Sequence, residues 1–184
     1  MAAQEYDYIV VGAGSAGCVL ADRLSADGQC TVLVLEAGGH DRRVWVNMPI
    51  GYGKTFYDER VNWKFEAQPE PELKNRRIYF PRGKVVGGSS SINAMVYSRG
   101  LPGDFDEWAR LGNSGWSWND VRPVYEQFER RVDAAGNAPG SGALYVSDVR
   151  QQLHPMERHF FAAARQAGLP FTEDFNGAMP EGVL

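Results

Sequence analysis

The sequence predicts an α/β fold that opens with a β-α-β unit on a parallel sheet. Three observations predict it. Tyr6–Val11 is a short apolar run rich in β-formers. Residues 15–25 then carry apolar side chains at helical spacing, with Ala16, Val19, Leu20 and Leu24 as the stripe. Thr31–Leu35 is a continuous apolar run, as expected for a strand buried on both faces of a parallel sheet.

Between the first strand and the helix lies Gly12-Ala13-Gly14-Ser15-Ala16-Gly17, a G-x-G-x-x-G turn. That position is where a dinucleotide-binding, Rossmann-like unit needs it. Gly12 permits the tight turn, Gly14 leaves room for a pyrophosphate, and Gly17 lets helix and strand pack closely. The helix N-terminus presents free N–H groups and a positive dipole end to phosphates. Glu36 closes the second strand, where an acid accepts hydrogen bonds from a ribose hydroxyl and disfavours a 2′-phosphate. NADP is therefore not expected, and the turn alone leaves FAD and NAD open.

Residues 38–53 are expected to form an extended loop. Residues 63–68 and 76–80 read as two strands of a hairpin. Helices are expected at 105–110, at 118–131 with Ser117 or Asn119 as cap, and at 155–167. Residues 134–142 read as a Gly/Pro/Ala/Ser-rich linker. The expected domains are 1–132, cofactor-binding, and 133–184, a linker with the start of an α+β domain.

The chain has 184 residues, 43% hydrophobic and 23% charged, with net charge −4. Basic blocks are absent, so no nucleic-acid partner is expected. No leader and no membrane span are expected, and the two cysteines, Cys18 and Cys30, are read as buried structural thiols in a reducing cytoplasm. No metal set is expected. His40, His154 and His159 are read as structural or solvated, so no catalytic residue is assigned.

The second motif is Gly83-Lys84-Val85-Val86-Gly87-Gly88-Ser89-Ser90-Ser91-Ile92-Asn93. Its apolar flanks (Val85, Val86, Ile92, Met95, Val96) predict a buried, ordered segment in which backbone N–H groups meet a ligand and serine hydroxyls satisfy carbonyls or phosphate oxygens.

This stretch, with Tyr97, Gly100 and Asp106 at their spacing, resembles the first signature of the glucose–methanol–choline (GMC) flavoprotein oxidoreductases. Asn62-Trp63, residues 104–108, 115–118 and 175–177 resemble the family too. The run 89–97 is most similar to bacterial choline-dehydrogenase-like alcohol dehydrogenases. The resemblance implies FAD as cofactor, with Gly12, Gly14, Ser15, Ala16 and Gly17 on the pyrophosphate and Glu36 on the adenosine ribose, followed by Ala37. It places Val85, Gly87, Gly88, Ser89, Asn93, Ala94, Met95 and Val96 along the flavin, Trp63 near the adenine half, and Arg82 and Lys84 as charges near the cofactor. Positions 83–100 hold no histidine, which implies non-covalent FAD.

The implied reaction is oxidation of a small alcohol by hydride transfer to flavin, with a quinone, dye-like acceptor or oxygen taking the electrons. An oxidase, a photodecarboxylase of the same fold and a non-catalytic FAD-binding fragment stay open as alternatives. Family members are about three times as long, so the chain is expected to be a truncated N-terminal portion. The catalytic histidine is then expected in a C-terminal remainder that acts as partner.

Overall fold

The structure is a computed structural model, and it describes residues 4–133, 135–149, 152–172, 174–177 and 182–183. It divides into two compact units, Met1–Val96 and Tyr97–Leu184. The fold is mixed α/β with parallel strand pairs, as the sequence predicts.

In the first unit, β1 (Tyr8–Val11) pairs in parallel with β2 (Val32–Leu35), Val10 opposite Val34. They flank α1 (Ser15–Ser25). Val10 is buried beneath α1, with its Cγ1 3.3 Å from where a Cβ on Gly17 would sit. Burial of β2 on both faces is not observed. Its residues are half-buried and Leu35 is exposed, because this sheet has two strands and α1 lies on the Val10 side. The apolar stripe on α1 is also displaced. Gly17, Ala21 and Leu24 are half-buried, while Ala16, Val19 and Leu20 are exposed. Both cysteines are free thiols. Cys18 is exposed and Cys30 half-buried, which corrects their expected burial. Cys18 lies on the outer side of α1, and its Sγ donates to the Ala13 carbonyl at 3.3 Å.

Residues 38–53 are not a plain loop. They contain α2 (Val44–Asn47), a 3-10 turn at Pro49–Gly51 and α3 (Tyr52–Thr55). Asn47 Nδ2 donates to the carbonyls of Asp41 and Arg43, which ties α2 to the chain before it. Gly51 is buried against α2, where a Cβ would stand 2.1 Å from the Trp45 carbonyl oxygen. The expected hairpin is present as β3 (Phe65–Glu66) and β4 (Tyr79–Phe80), antiparallel with Phe65 opposite Phe80. Lys74 and Asn75 turn it in left-handed conformations (φ 57° and 55°). Val61, Val85 and Ile92 form the core of the unit, with Val46 packed against them.

In the second unit, α4 (Pro102–Arg110) and α5 (Trp118–Phe128) pack through Phe105, whose buried ring meets Trp108, Trp118 and Tyr125. Ser117 stands at the N-cap of α5, where its N–H and hydroxyl both donate to the Asp120 carboxylate. The expected helix 118–131 ends at Phe128. The chain then extends as β5 (Glu129–Val132), parallel to β6 (Leu144–Ser147). Gly142 makes this pairing possible, because a Cβ there would lie 2.3 Å from the Glu129 carbonyl oxygen. Strand β6 follows the Gly/Pro-rich stretch and is a strand that composition did not show. Helix α6 (Glu157–Gln166) follows Pro155 as expected. Among the described residues, no helix is long and apolar enough to cross a membrane.

Candidate functional site: two interlocked glycine loops

Gly12 donates its N–H to the Leu35 carbonyl at 2.7 Å, which joins the turn to the end of β2. Its φ of +97° suits glycine alone at low cost. Gly17 is required for a different reason, since a Cβ there would lie 1.9 Å from the Gly12 carbonyl oxygen. Gly14 has neither reason. Its φ and ψ are −77° and −173°, ordinary extended backbone, and a Cβ would meet only Gly88 Cα at 3.9 Å. Ser15 and Ala16 form the exposed first turn of α1, and no side chain caps its N-terminal N–H groups. Those groups lack intrahelical acceptors by construction, an arrangement that suits an anion.

Glu36 is half-buried at the end of β2. One carboxylate oxygen accepts the Ala13 N–H and the other the Gly38 N–H, each at 2.8 Å. The acid thus clamps the first loop to the turn through Ala37 and fixes its own orientation. Each oxygen retains a lone pair for a hydroxyl donor.

The second loop is stitched directly onto the first. Val86 N–H donates to Gly39 O at 3.0 Å and Gly87 N–H to Ala13 O at 2.7 Å. Val85 is fully buried. The backbones then come too close for any side chain. A Cβ on Gly88 would sit 2.8 Å from Gly14 Cα, one on Gly38 2.0 Å from Lys84 O, and one on Gly83 2.1 Å from Gly88 O. The serines hold this geometry. Ser89 Oγ accepts the Gly83 N–H, Ser90 donates to Gly87 O, and Ser91 donates to Val86 O at 2.8 Å. Ala13, Gly38, Gly39 and Gly83 join the candidate site by contact; Ala13 and Gly83 stand inside the two motifs and Gly38 follows Ala37 after the acid, while Gly39 is not among the residues expected from sequence.

Asn93–Val96 follows the 3-10 turn Gly88–Ser91 as an exposed strip. The expected burial of its apolar residues is not observed. Met95 and Val96 are 58% and 84% exposed. Asn93 Oδ1 accepts the Met95 N–H at 2.8 Å and supports Met95 at φ +61°. Ala94 lies between them, also exposed. The remaining candidates lie on the ribbon β3–β4. Lys84 Nζ stands 4.8 Å over the Trp63 ring, which stacks on Phe65, and the Arg82 guanidinium 4.2 Å over Phe80.

The second unit holds a buried charge cluster. Arg99 pairs with Glu129, their side chains 8% and 3% exposed, and Tyr97 donates its hydroxyl to the same carboxylate. Asn176 Oδ1 accepts the Arg99 N–H at 2.7 Å, and Tyr125 donates to the Arg99 carbonyl. Burial pushes the Glu129 carboxyl up, but the bonds from Arg99 and Tyr97 outweigh it and hold the group below its ordinary value. Burial and the facing Glu129 push the Tyr97 hydroxyl well up. With every partner engaged, the cluster offers no free acid or base. The three histidines are exposed, and the described residues contain no grouping that could hold a metal ion.

A family model described as GMC oxidoreductase matches residues 6–184. The chain belongs to the GMC oxidoreductase family. It is 46% identical over 181 residues to an oxygen-dependent choline dehydrogenase of Vibrio vulnificus, covering 97% of this chain and 32% of that protein. It is 44% identical over 180 residues to an alcohol dehydrogenase (acceptor) of Pseudomonas putida, covering 97% and 32%. Its fold matches the solved structure of an FAD-dependent oxidoreductase from Chaetomium thermophilum with a TM-score of 0.77 and 35% identity, over 92% of this chain and 31% of that one. The chain spans about a third of the length of the relatives it matches. GMC membership agrees with the resemblance that the second motif predicts.

Proposed function

We propose that this GMC chain seats FAD non-covalently and forms the cofactor-binding part of an alcohol-oxidising flavoenzyme. The observation that carries the reading is the backbone-to-backbone lock of Gly14 with Gly87 and Gly88. It sets two glycine loops side by side at the uncapped N-terminus of α1. That cradle suits a pyrophosphate in both shape and polarity.

Gly12, Gly14, Ser15, Ala16 and Gly17 hold the pyrophosphate, and Glu36, steadied next to Ala37, takes the adenosine ribose. Gly87, Gly88, Ser89 and Asn93–Val96 line the flavin, with Val85 buried in the core behind them, Trp63 stands toward the adenine half, and Arg82 with Lys84 adds positive potential. When bound, FAD supplies hydride acceptance from a CH–OH donor. The chain's own part is to bind and orient the cofactor. The proton of the alcohol is taken by a residue outside these 184 positions. The relatives' names favour a small alcohol of the choline type, with a quinone, dye-like acceptor or oxygen as oxidant. Residues 1–132 serve as cofactor domain and 133–184 as the start of a substrate domain, in a cytoplasmic protein.

The test is reconstitution of the purified chain with FAD and, separately, with NAD. A yellow chain that releases intact FAD on denaturation is the expected result. A chain that takes NAD and no FAD overturns the proposal.

A further inference from the structure

Asn62 is one of the few fully buried polar residues of the first unit, 2% exposed, and every hydrogen-bonding position of its amide is engaged. Its Nδ2 donates to Phe56 O at 2.8 Å and to Tyr79 Oη at 3.2 Å. Its Oδ1 accepts two backbone N–H groups, Lys64 at 2.9 Å and Arg82 at 3.0 Å. The need for those two bonds follows from the ribbon. The register of β3–β4 continues to a bridge between Asn62 and Gly83, so Lys64 faces Pro81 and Trp63 faces Arg82. Lys64 is left-handed (φ +53°), and the ladder is left half made. Trp63 N–H donates to Arg82 O at 2.8 Å, but the returning Arg82 N–H goes to the Asn62 side chain. The amide replaces the missing ladder acceptor.

The strand held in this way runs straight into the site. Lys84 N–H donates to Val61 O at 2.7 Å, then Val86 N–H to Gly39 O and Gly87 N–H to Ala13 O. A displacement at Arg82 is therefore passed along one hydrogen-bonded backbone to the contact of Gly88 with Gly14. On the other side, Asn62 is tied to α3 through Phe56 and to β4 through Tyr79.

We propose that Asn62 is a positioning residue for the dinucleotide site, setting the second glycine loop against the first through the Arg82 and Lys64 N–H groups. This rests on the reading that the two loops seat FAD. It touches no part of the cofactor in that reading.

The test uses the 184-residue chain with three substitutions. Asn62→Ala removes donor and acceptor. Asn62→Asp keeps the acceptor for both N–H groups but loses the donors and buries a carboxylate. Val46→Ala loosens the same core without touching the amide. Hydrogen exchange of residues 82–88 without cofactor, FAD affinity and thermal midpoint are measured for each. Asn62→Ala is expected to expose the 82–88 amides and weaken FAD roughly tenfold or more. Asn62→Asp is expected to melt lower yet keep loop protection and an affinity within about threefold of the parent. Affinities that follow the melting order of all the variants, with Asn62→Asp and Val46→Ala on one line, make Asn62 merely structural and overturn the proposal. Unchanged exchange in Asn62→Ala overturns it too. A parent chain that takes no FAD defeats the cofactor reading instead, and the exchange arm still judges the loop.

Discussion

The three glycines of the first loop make a prediction that separates fold from ligand. A Cβ on Gly17 would stand 1.9 Å from Gly12 O, against the 3.0 Å below which real Cβ atoms essentially never come. Gly17→Ala must therefore push α1 off the turn by about 1 Å, and overpacking of that kind costs about 1–3 kcal/mol. In a unit of this size that lowers the melting midpoint by roughly 4 °C or more. Gly14→Ala places its Cβ 3.9 Å from the nearest atom, in extended backbone open to any residue. Alanine is a somewhat poorer N-cap than glycine but restricts the unfolded chain, so the net change is expected within about 1 kcal/mol. The new methyl nevertheless sits at the mouth of the cradle. FAD affinity should fall roughly tenfold or more, and further in Gly14→Val. Circular-dichroism melting and quenching of flavin fluorescence measure the two effects. If Gly14→Ala binds FAD like the parent, or melts as early as Gly17→Ala, the reasoning that assigns Gly14 to the ligand is refuted.

The same contacts make further predictions. Glu36→Gln sets an amide donor against one of the Ala13 and Gly38 N–H groups, so the chain without cofactor should lose about 1–3 kcal/mol in urea unfolding; unchanged stability would show that the clamp is not formed. Ser91→Ala deletes one bond to Val86 O, worth about 1 kcal/mol. Gly87→Ala should cost more, because its Cβ would fall 2.1 Å from Ser91 Oγ at φ +89°. Comparison of their melting midpoints checks the order. In the second unit, the Glu129 carboxyl lies below its ordinary value, so the native state holds fewer protons than the unfolded chain near that pH. Its contribution is complete above the ordinary carboxylate range and is lost as pH falls through the lowered value. Glu129→Gln strands Arg99, should cost about 3–5 kcal/mol, and should flatten the acid limb of a stability–pH profile. An acid limb as steep as the parent's would place the titration elsewhere.

Local pattern carried β1, α1, β2 and the hairpin of the first unit, because each has a short-range cause, but it read the short helices α2 and α3 as loop. Helix α1 starts and stops at the expected residues, where a glycine turn opens it. The hairpin is present because Lys74 and Asn75 complete a turn within a few residues. The misses of the second unit need a partner far along the chain. Residues 129–131 look helical beside α5, yet they extend because Glu129 turns inward to Arg99 and Gly142 admits a neighbouring strand. The stripe Val19–Leu20 looks like a buried face, but the half-buried positions of the helix are Gly17, Ala21 and Leu24.

The site shows the same division at the level of single residues. A motif marks Gly12, Gly14 and Gly17 alike, although backbone conformation requires the first and the Gly12 carbonyl the third. Only the contact of the two loops shows that Gly14 answers to neither. In the proposed reading the pyrophosphate accounts for Gly14, which faces the second loop at Gly88, where a side chain has no room. The two motifs are therefore one interlocked structure, joined by backbone bonds between Ala13 and Gly87 and between Gly39 and Val86 that no spacing within either motif encodes.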